Sequence, residues 1–230
     1  MVALYVILGI VALYILIFSV IVAIDVSRIM GRDPAARNPF EIFLLYSGLH
    51  AVANHRIAHI FYKCRLYFIA RLISQTSRFF TGIEIHPGAK IGKGLFIDHG
   101  MGVVIGETAI IGDNCTIYQN VTLGGTGKDK GKRHPTIGSN VLIGSGAKIL
   151  GPLTVSDNCK IASNAVLLSD LAENSTAVGV PARTVRVAGE KLDPSKLDHI
   201  HTPDPVATEL QKALDRIAEL EKRLEQLESK

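Results

Sequence analysis

Two histidines that stand beside charged residues are candidates for acid–base chemistry. His99 directly follows Asp98, and His134 directly follows Arg133. A neutral histidine held on a rigid scaffold can take a proton as a general base. A carboxylate such as Glu84 could orient the imidazole through its second ring nitrogen, as in dyads and triads generally. These residues make His99 a candidate general base.

A glycine-rich segment at residues 124–127 lies a few positions before Arg133 and His134. Backbone amides in such a loop, together with an arginine fork, can bind an anion. Neither signal is specific when taken alone. A histidine in a β-turn is more often structural than catalytic, and a glycine-rich loop is more often only a turn. Whether these residues act together depends on the elements that carry them.

The segment from Ile85 to Leu167 repeats with a period of six residues. An aliphatic residue returns in three runs: Ile85, Ile91, Ile97; Ile105, Ile111, Ile117, Leu123; and Ile137, Ile143, Ile149, Val155, Ile161, Leu167. This period fits neither the 3.6 residues of a helix nor the two of a single strand. It fits short parallel strands wound into a prism with one inward aliphatic residue on each of three faces.

The sequence therefore predicts a mainly β fold, a parallel β-helix over residues 83–187. A β-sandwich with coincidental spacing is the alternative, and the five unbroken six-residue steps from Ile137 to Leu167 argue against it. In a stacked solenoid each coil buries its inward residues against its neighbours, so stability is shared between coils.

The repeat is interrupted twice, and each interruption contains one of the two histidines. The step across His99 is eight residues, and the step across Arg133 and His134 is fourteen. A regular solenoid places insertions of this kind in surface loops, often on its binding face. We therefore expect all three side chains to lie on loops at the surface of the prism.

The composition excludes some classes of function. The 230 residues carry a net charge of +4 and no Trp, and no basic patch is interleaved with aromatic residues. This pattern does not indicate nucleic-acid binding. The cysteines are Cys64, Cys115 and Cys159. Their spacing predicts neither a metal site nor a disulfide framework, and a reducing compartment fits best.

The N-terminal region predicts an apolar helix. Residues 1–24 carry no charge and are rich in Val, Ile, Leu and Ala, a length that could cross a bilayer. Basic residues outnumber acidic ones between residues 25 and 37. The positive-inside rule would then place the following domain in the cytoplasm, at the inner face of the cell membrane. The alternative is a helix buried in an oligomer.

Residues 25–82 read as a linker followed by a helical cap, with apolar residues at helical spacing between residues 40 and 80. His50, His55 and His59 lie in this region. No carboxylate within this stretch completes a metal site with them, so we interpret them as packing or surface residues.

The C-terminal region predicts a linker and a coiled coil. Residues 188–205 are polar and contain prolines. Residues 206–230 carry apolar residues at two heptad positions: Leu210, Ile217, Leu224 and Ala213, Leu220, Leu227. This pattern predicts a short coiled coil, for which three strands are our expectation. A lone amphipathic helix packed on its own subunit is the alternative.

Several motifs resemble those of one family. They are Arg32-Asp33-Pro34-Ala35, Gly82-Ile83-Glu84-Ile85-His86-Pro87-Gly88-Ala89, Phe96-Ile97-Asp98-His99-Gly100, Val104-Ile105-Gly106-Glu107-Thr108-Ala109, Val121-Thr122-Leu123-Gly124-Gly125-Thr126-Gly127, Arg133-His134-Pro135 and Val180-Pro181-Ala182-Arg183. Over about residues 31–187 the chain resembles the bacterial serine O-acetyltransferases, which are left-handed β-helix (hexapeptide-repeat) acyltransferases. The resemblance implies a left-handed coil, an exception to the usual right-handed crossover.

The resemblance also implies a reaction in which L-serine and acetyl-CoA give O-acetyl-L-serine and CoA, the first step of cysteine biosynthesis. His99 would take the proton of the serine hydroxyl as that oxygen attacks the thioester, and would then protonate the departing thiolate. Glu84 stands where other members of the family carry Asp, and would orient His99. A longer carboxylate still reaches an imidazole, although the backbone must be placed slightly differently.

By the same resemblance, the substrate serine would be held at both of its charged groups. Asp33 and Asp98 would bind the ammonium group, and Arg133 and His134 would bind the carboxylate, with Arg133 acting as a bidentate fork. Glu107 would steady Arg133. Without the resemblance, Asp98 could simply form a turn and Asp33 could cap a helix.

The acetyl-CoA co-substrate would lie in the groove between neighbouring solenoids of a trimer. The positions that match the family's contacts are Gly125, Thr126, Ser145, Lys160 and Ser163, with Lys160 near the phosphates. No metal is expected. The helical region is shorter than in the family and follows an apolar stretch, so we expect a homotrimer rather than a hexamer. The sequence ends in Glu228-Ser229-Lys230 without a terminal Ile, so we expect no complex with O-acetylserine sulfhydrylase through that tail.

Three rival functions share the predicted fold. An acetyltransferase for another hydroxyl acceptor, such as a sugar, would not need the set of Asp33, Arg133 and His134. A zinc hydratase would need three converging histidines, and His86, His99 and His134 lack its paired spacing. A non-catalytic membrane scaffold would not depend on His99.

Overall fold

The computed structural model of the chain describes residues 2–127, 130–186, 210, 213–221 and 223. Four helices come first: α1 (Val2–Met30), α2 (Pro39–Leu45), α3 (Ser47–Lys63) and α4 (Tyr67–Thr81). The side chain of Asn38 caps α2 by accepting a hydrogen bond from the amide of Glu41, and α4 ends at Gly82 in the left-handed conformation that glycine adopts without strain. The predicted helical region is therefore three short helices that follow a long one.

Short strands follow the helices along the chain. They are β1 (Glu84–Ile85), β2 (Lys90–Ile91), β3 (Phe96–Ile97), β4 (Val104–Ile105), β5 (Ile110–Ile111), β6 (Thr116–Ile117), β7 (Thr122–Gly124), β8 (Thr136–Ile137), β9 (Leu142–Ile143), β10 (Lys148–Leu150), β11 (Thr154–Val155), β12 (Lys160–Ile161), β13 (Val166–Leu167), β14 (Ser175–Val178) and β15 (Arg183–Arg186).

These strands form three sheets, which are the faces of a prism. Face A has the order β1-β4-β7-β10-β13, face B contains β2-β5-β8-β11, and face C contains β3-β6-β9-β12-β14-β15. Every strand pair is parallel except β14 with β15. The chain visits the faces in the cyclic order A, B, C, and this confirms the predicted parallel β-helix.

The aliphatic repeat fills the interior of the prism. On face A the inward residues are stacked in one register from coil to coil: Ile85, Ile105, Leu123, Ile149 and Leu167. All predicted inward positions are at most 4% exposed except Ile91, which is partly buried against the same core. The thiols of Cys115 and Cys159 are buried in the walls between them.

Both interruptions of the repeat leave the register of the coils unchanged. Across the second insertion, β5 still pairs with β8 so that Ile111 faces Ile137. Across the first, β4 pairs with β1 so that Ile105 faces Ile85. The extra residues therefore lie in loops at the edges of the prism, as predicted.

The positions of the turns define the three edges. The CA edge consists of the turns from face C to face A, at residues 98–103, 118–121, 144–147 and 162–165. The AB edge consists of the turns from face A to face B, at residues 86–89, 106–109, 125–127 with 130–135, and 151–153. His99 lies on the CA edge, whereas Arg133 and His134 lie on the AB edge.

The prediction that residues 1–24 form a membrane-spanning helix is not supported. Among the described residues, no helix combines the length and the apolarity needed to traverse a bilayer. The apolar stretch belongs to α1, which continues to Met30. Val22, Val26 and Ile29 of this helix are buried in a cluster with residues of α2 and α3, and the buried Asp25 pairs with Arg56 of α3.

The guanidinium group of Arg32 connects the end of α1 to the solenoid. It donates hydrogen bonds to the backbone carbonyls of Gly94, Asn114 and Cys115, at 2.5, 3.2 and 3.4 Å. Arg32 is 9% exposed, so these carbonyl oxygens take the place of water around a charged group. This contact fixes the chain immediately before Asp33.

Most of the predicted C-terminal elements lie outside the described residues, which include none of the linker at 188–205. Residues 210, 213–221 and 223 are helical. Leu210, Ile217 and Leu220 are 48–59% exposed on this segment, and Glu219 pairs with Arg216 and Arg223. The coiled coil over 206–230 stays a prediction.

We expect the buried His55 of α3 to make the fold less stable at acidic pH. Burial, with the neighbouring charges of His59 and Arg56, lowers the pKa of His55 to about 3. An unfolded chain protonates its histidines near pH 6.5. The unfolded state therefore binds more protons between about pH 6.5 and 3, and the free energy of unfolding falls as the pH falls through this window.

The measurement is urea unfolding at pH 7, 5.5 and 4.5 for the wild type and for His55→Gln. We expect the dependence of the free energy of unfolding on pH to be smaller in the variant by about one proton in this window. The lowered pKa values of His86, Glu107 and His134 contribute to the dependence that remains. Identical slopes for the two proteins would contradict the assignment to His55.

Candidate active site

A pocket of about 360 Å³ on the CA edge brings together three of the predicted site residues. Asp33, from the segment after α1, faces Asp98 and His99 of the first insertion. The junction of α2 and α3 closes the pocket. There the hydroxyl of Ser47 lies 3.4 Å from the carbonyl oxygen of His99 and donates to it. Two carboxylates and an imidazole therefore line one cavity.

The backbone of His99 is in the left-handed conformation, with φ of 58°. The other described non-glycine residues of the solenoid with positive φ are all asparagines: Asn114, Asn120, Asn140, Asn158, Asn164 and Asn174. Asparagine tolerates this conformation better than most side chains. A histidine in its place is unusual, and its side chain is 72% exposed with Nε2 3.9 Å from Oδ1 of Asp98.

The carboxylate of Glu84 lies against two arginines of α4. Its oxygens are 3.6 Å from Nη2 of Arg71 and 3.1 Å from Nη1 of Arg78. The strand that carries Glu84 is nevertheless next to the His99 loop, because the amide of Gly102 donates to the carbonyl of Gly82 at 2.9 Å. The predicted pairing of Glu84 with His99 is thus replaced, in the single chain, by a pairing with arginines.

The carboxylate of Asp33 is held by two donors. Oδ1 accepts from the amide of Ala35 at 2.8 Å, and Oδ2 accepts from the hydroxyl of Tyr46 at 2.5 Å. Burial, followed by the bond to Asp33, raises the pKa of Tyr46. Burial also raises the pKa of Tyr118 to about 12, with contributions from the negative charges of Asp98 and Asp33. Both phenols therefore stay protonated beside these carboxylates.

Arg133 lies on the AB edge and pairs with Glu107. Its Nη2 is 2.8 Å from Oε2 of Glu107, and the hydroxyl of Tyr62 donates to Oε1 of the same carboxylate at 3.1 Å. Burial opposes ionisation of Glu107, but the Tyr62 bond, His86 and Arg133 together lower its pKa. Glu107 thus fixes one side of the guanidinium group.

His134 is 8% exposed and is held by Thr108. Its Nδ1 accepts from the amide of Thr108 at 3.2 Å, and the Thr108 hydroxyl lies 2.9 Å from the same nitrogen. Burial, followed by the charge of Arg133, lowers the pKa of His134. A neutral ring with Nδ1 as acceptor carries its proton on Nε2, which is then a hydrogen-bond donor.

The Thr108 hydroxyl oxygen also shapes the loop that carries these side chains. It accepts hydrogen bonds from the amides of Arg133 and His134, both at 3.1 Å. Gly106 lies directly beneath the imidazole, since a Cβ built there would be 2.0 Å from Cδ2 and Nε2 of His134. The absence of a side chain at residue 106 is therefore what admits the ring.

The five residues predicted to contact acetyl-CoA are divided between the two edges and face C. Ser145 and Ser163 are stacked on the CA edge, with their hydroxyl oxygens 3.2 Å apart, above the coil of His99. Gly125 and Thr126 lie on the AB edge beside Arg133 and Gly151. Lys160 projects from β12 on face C. Within one chain these residues do not form a single groove.

The histidines considered for a zinc site are also divided. His86 lies on the AB edge, where its Nδ1 accepts from the amide of Gly88 at 3.0 Å, and His134 is engaged by Thr108. His99 lies on the other edge. Within the described ranges, no three His, Cys, Asp or Glu side chains converge as a metal site would require.

Comparisons with known proteins identify first the class and then the family. Residues 134–169 match the family described as bacterial transferase hexapeptide (six repeats), so repeat and fold together define a hexapeptide-repeat transferase. The chain is 56% identical over 210 residues to the serine acetyltransferase of Bacillus subtilis strain 168, covering 90% of this chain and 96% of that protein. The chain belongs to the serine acetyltransferase family, which confirms the resemblance seen in its motifs.

Solved structures of this family have the same fold. The serine acetyltransferase of Neisseria gonorrhoeae in complex with serine is 40% identical, with a TM-score of 0.69 over 72% of this chain and 68% of that chain. The serine acetyltransferase of Brucella abortus strain S19 in complex with coenzyme A is 43% identical, with a TM-score of 0.71 over 74% and 68%.

Sequence reasoning gave no role to three side chains that hold the predicted site. Tyr46 binds Asp33, Tyr62 binds Glu107, and Thr108 binds His134. Thr108 could have been noticed, because it directly follows Glu107 in a quoted motif. Tyr46 lies at the junction of α2 and α3, and Tyr62 lies on α3. They are 13 and 45 residues along the chain from their partners, and no local pattern predicts such contacts.

Proposed function

We propose that this protein transfers the acetyl group of acetyl-CoA to the hydroxyl of L-serine, giving O-acetyl-L-serine and CoA. The observation that carries the proposal is the pocket in which Asp33, Asp98 and His99 converge. Two carboxylates suit an ammonium group, and an imidazole beside them suits deprotonation of a hydroxyl on the same small molecule. Membership of the serine acetyltransferase family supports the same acceptor.

In this mechanism His99 takes the proton from the serine hydroxyl while that oxygen attacks the carbonyl carbon of the thioester. The C–S bond then breaks, and the proton on His99 passes to the thiolate of CoA, so that charge and atoms balance. Asp33 and Asp98 hold the ammonium group, whereas Arg133 and His134 hold the carboxylate. Holding both substrates together removes much of the entropic barrier.

We further propose that the site is completed by a second copy of the chain. His99 and Arg133 lie on different edges of the same prism, so one serine molecule cannot reach both within one chain. A ring of three copies that places the CA edge of one against the AB edge of the next would unite them at each of three equivalent interfaces. This argument favours a homotrimer as the catalytic unit, with a coiled coil over 206–230 as a further contact.

The same contact between the CA edge of one copy and the AB edge of the next would form the groove that binds acetyl-CoA. Ser145 and Ser163 continue the CA edge away from His99, and Gly125 and Thr126 would come from the facing AB edge of the neighbour. Lys160, on the strand that leads into the last of these turns, would meet the phosphates as a point charge. A long, thin co-substrate would thus lie along stacked coils with its thioester at His99.

We retain Glu84 as the candidate that orients His99. Its strand is hydrogen-bonded close to the His99 loop, and a change of side-chain rotamer is the smallest movement that would bring its carboxylate from the arginines to the imidazole. Arg71 and Arg78 are 41% and 55% exposed, and exposed ion pairs of this kind are weak enough to exchange.

The direct experiment measures release of the CoA thiol by the full-length protein with acetyl-CoA and L-serine. We expect release that depends on serine and not on a galactoside or glucose. Release with the sugars and not with serine would transfer the proposal to a sugar acetyltransferase. No release with any hydroxyl acceptor would favour a non-catalytic scaffold.

Replacing Gly106 by alanine is expected to weaken serine binding. The new methyl group would overlap the imidazole of His134, which is buried and cannot move freely. Overpacking of this kind costs about 1–3 kcal/mol, so we expect KM for serine to rise roughly tenfold or more. The measurement is steady-state kinetics with serine varied at saturating acetyl-CoA.

Gly131 provides the matched control, because a Cβ built there meets nothing within 4 Å. Gly131 lies in the loop that carries His134, and Gly131→Ala is expected to leave KM for serine unchanged. Equal kinetic constants for the two variants would remove His134 from the serine site.

A further inference from the structure

Tyr46 stands at a fixed point in the backbone between two helices. It ends α2, its amide donates to the carbonyl of Ile42 at 3.3 Å, and α3 begins at the next residue. Its hydroxyl is 2.5 Å from Oδ2 of Asp33, and it lines the pocket that also contains Asp98 and His99. The phenol is thus held at both ends, by the helix junction and by the carboxylate.

The hydrogen bonds of Asp33 leave part of its carboxylate free. An ionised carboxylate offers about four acceptor positions, and the amide of Ala35 and the hydroxyl of Tyr46 occupy one on each oxygen. Because the two donors approach different oxygens, they fix the plane of the carboxylate as well as its position. The remaining lone pairs can accept from a cationic group in the pocket.

We propose that Tyr46 is a positioning residue that orients Asp33 toward the ammonium group of the acceptor and so helps to select amino acids over acceptors without an amino group. This inference rests on the proposed function. Tyr46 acts through Asp33 and has no part in the proton transfer at His99.

The chemistry of the phenol fits this role better than a role in catalysis. Burial and the adjacent carboxylates raise the pKa of Tyr46, so it remains a donor at neutral pH and cannot take a proton from serine. The backbone before Asp33 is already fixed by Arg32, which is bound to three carbonyls of the solenoid. Without the hydroxyl, the Asp33 side chain would keep its place but could rotate.

The test compares Tyr46→Phe with the wild type. Hydrogen bonds to charged groups contribute enough that we expect KM for serine to rise about tenfold. The value of kcat should stay within about threefold, and KM for acetyl-CoA should not change, because the reacting groups are untouched. Tyr5→Phe is the control, since that phenol is 63% exposed on α1 and removal of its hydroxyl should alter none of these constants.

A second readout separates positioning from collapse of the pocket. The compound 3-hydroxypropanoate is serine without its amino group, and its inhibition constant against serine is measured for both proteins. Tyr46→Phe should leave that constant unchanged while KM for serine rises. A parallel rise in both constants, or an unchanged KM for serine, would overturn the inference. Failure of the wild type to use serine would instead overturn the proposed function.

Discussion

Replacing His99 by asparagine is expected to remove most of the turnover and to leave the fold intact. A positioned general base contributes roughly 10²–10⁴-fold to a rate, and asparagine cannot take a proton from a hydroxyl. We therefore expect kcat to fall by about that factor, while KM values change little. The measurement is serine-dependent release of the CoA thiol, with thermal unfolding followed in parallel.

Asparagine is chosen because the solenoid itself uses it for this backbone. At φ of 58° an alanine would add strain to the loss of the imidazole, whereas asparagine occupies six other described positions with φ between 56° and 60°. The side chain of His99 is exposed, so its replacement should remove little packing energy from the folded state. An enzyme that keeps more than about a tenth of its kcat as His99→Asn would contradict a role in proton transfer.

Mixing two inactive variants is expected to restore activity if the site is shared between copies. His99→Asn lacks the base, and Arg133→Gln lacks the cation that binds the serine carboxylate. In a mixed trimer, an intact site forms wherever an Arg133→Gln copy supplies His99 to the neighbouring edge of a His99→Asn copy. Random assembly from equal amounts gives about a quarter of the sites intact.

The experiment unfolds and refolds the two variants together, or expresses them together, and compares the rate with that of each variant alone. Recovery of about a quarter of the wild-type rate supports the shared site. The control mixes His99→Asn with a second batch carrying His99→Asn and Arg133→Gln together, which leaves every site without its base. Mixed trimers that show no recovery would contradict the assignment of the two edges to one site.

The sequence predicted the solenoid well because its signal is local and repeated. Each inward aliphatic residue marks one strand of the solenoid, and the two insertions are visible because they interrupt a strict period of six residues. The side chains at the insertions could be placed on loops for the same reason. Their division between two edges follows from counting turns, since the first insertion comes between faces C and A and the second between faces A and B.

The contacts from the helices could not be predicted in this way. Glu84 was expected to face His99, but Arg71 and Arg78 reach it from α4, and their approach depends on how that helix packs on β1. Tyr46 reaches Asp33 from the junction of α2 and α3, 13 residues further along the chain. The apolar sequence of α1 is compatible with a bilayer and with packing against other helices, because burial in lipid and burial in protein favour the same side chains.

The unbroken register across residues 125–135 has a consequence for how acceptor preference could change. The strand after this loop, β8, pairs with β5 in the regular register of the solenoid. The length and chemistry of the loop, here called the excursion, can therefore vary without disturbing the coils that carry His99. Replacing only the part of this excursion that carries Arg133 and His134 would therefore be a local edit. The groups that bind the carboxylate of the acceptor could then diverge while the coil that carries His99 stays the same.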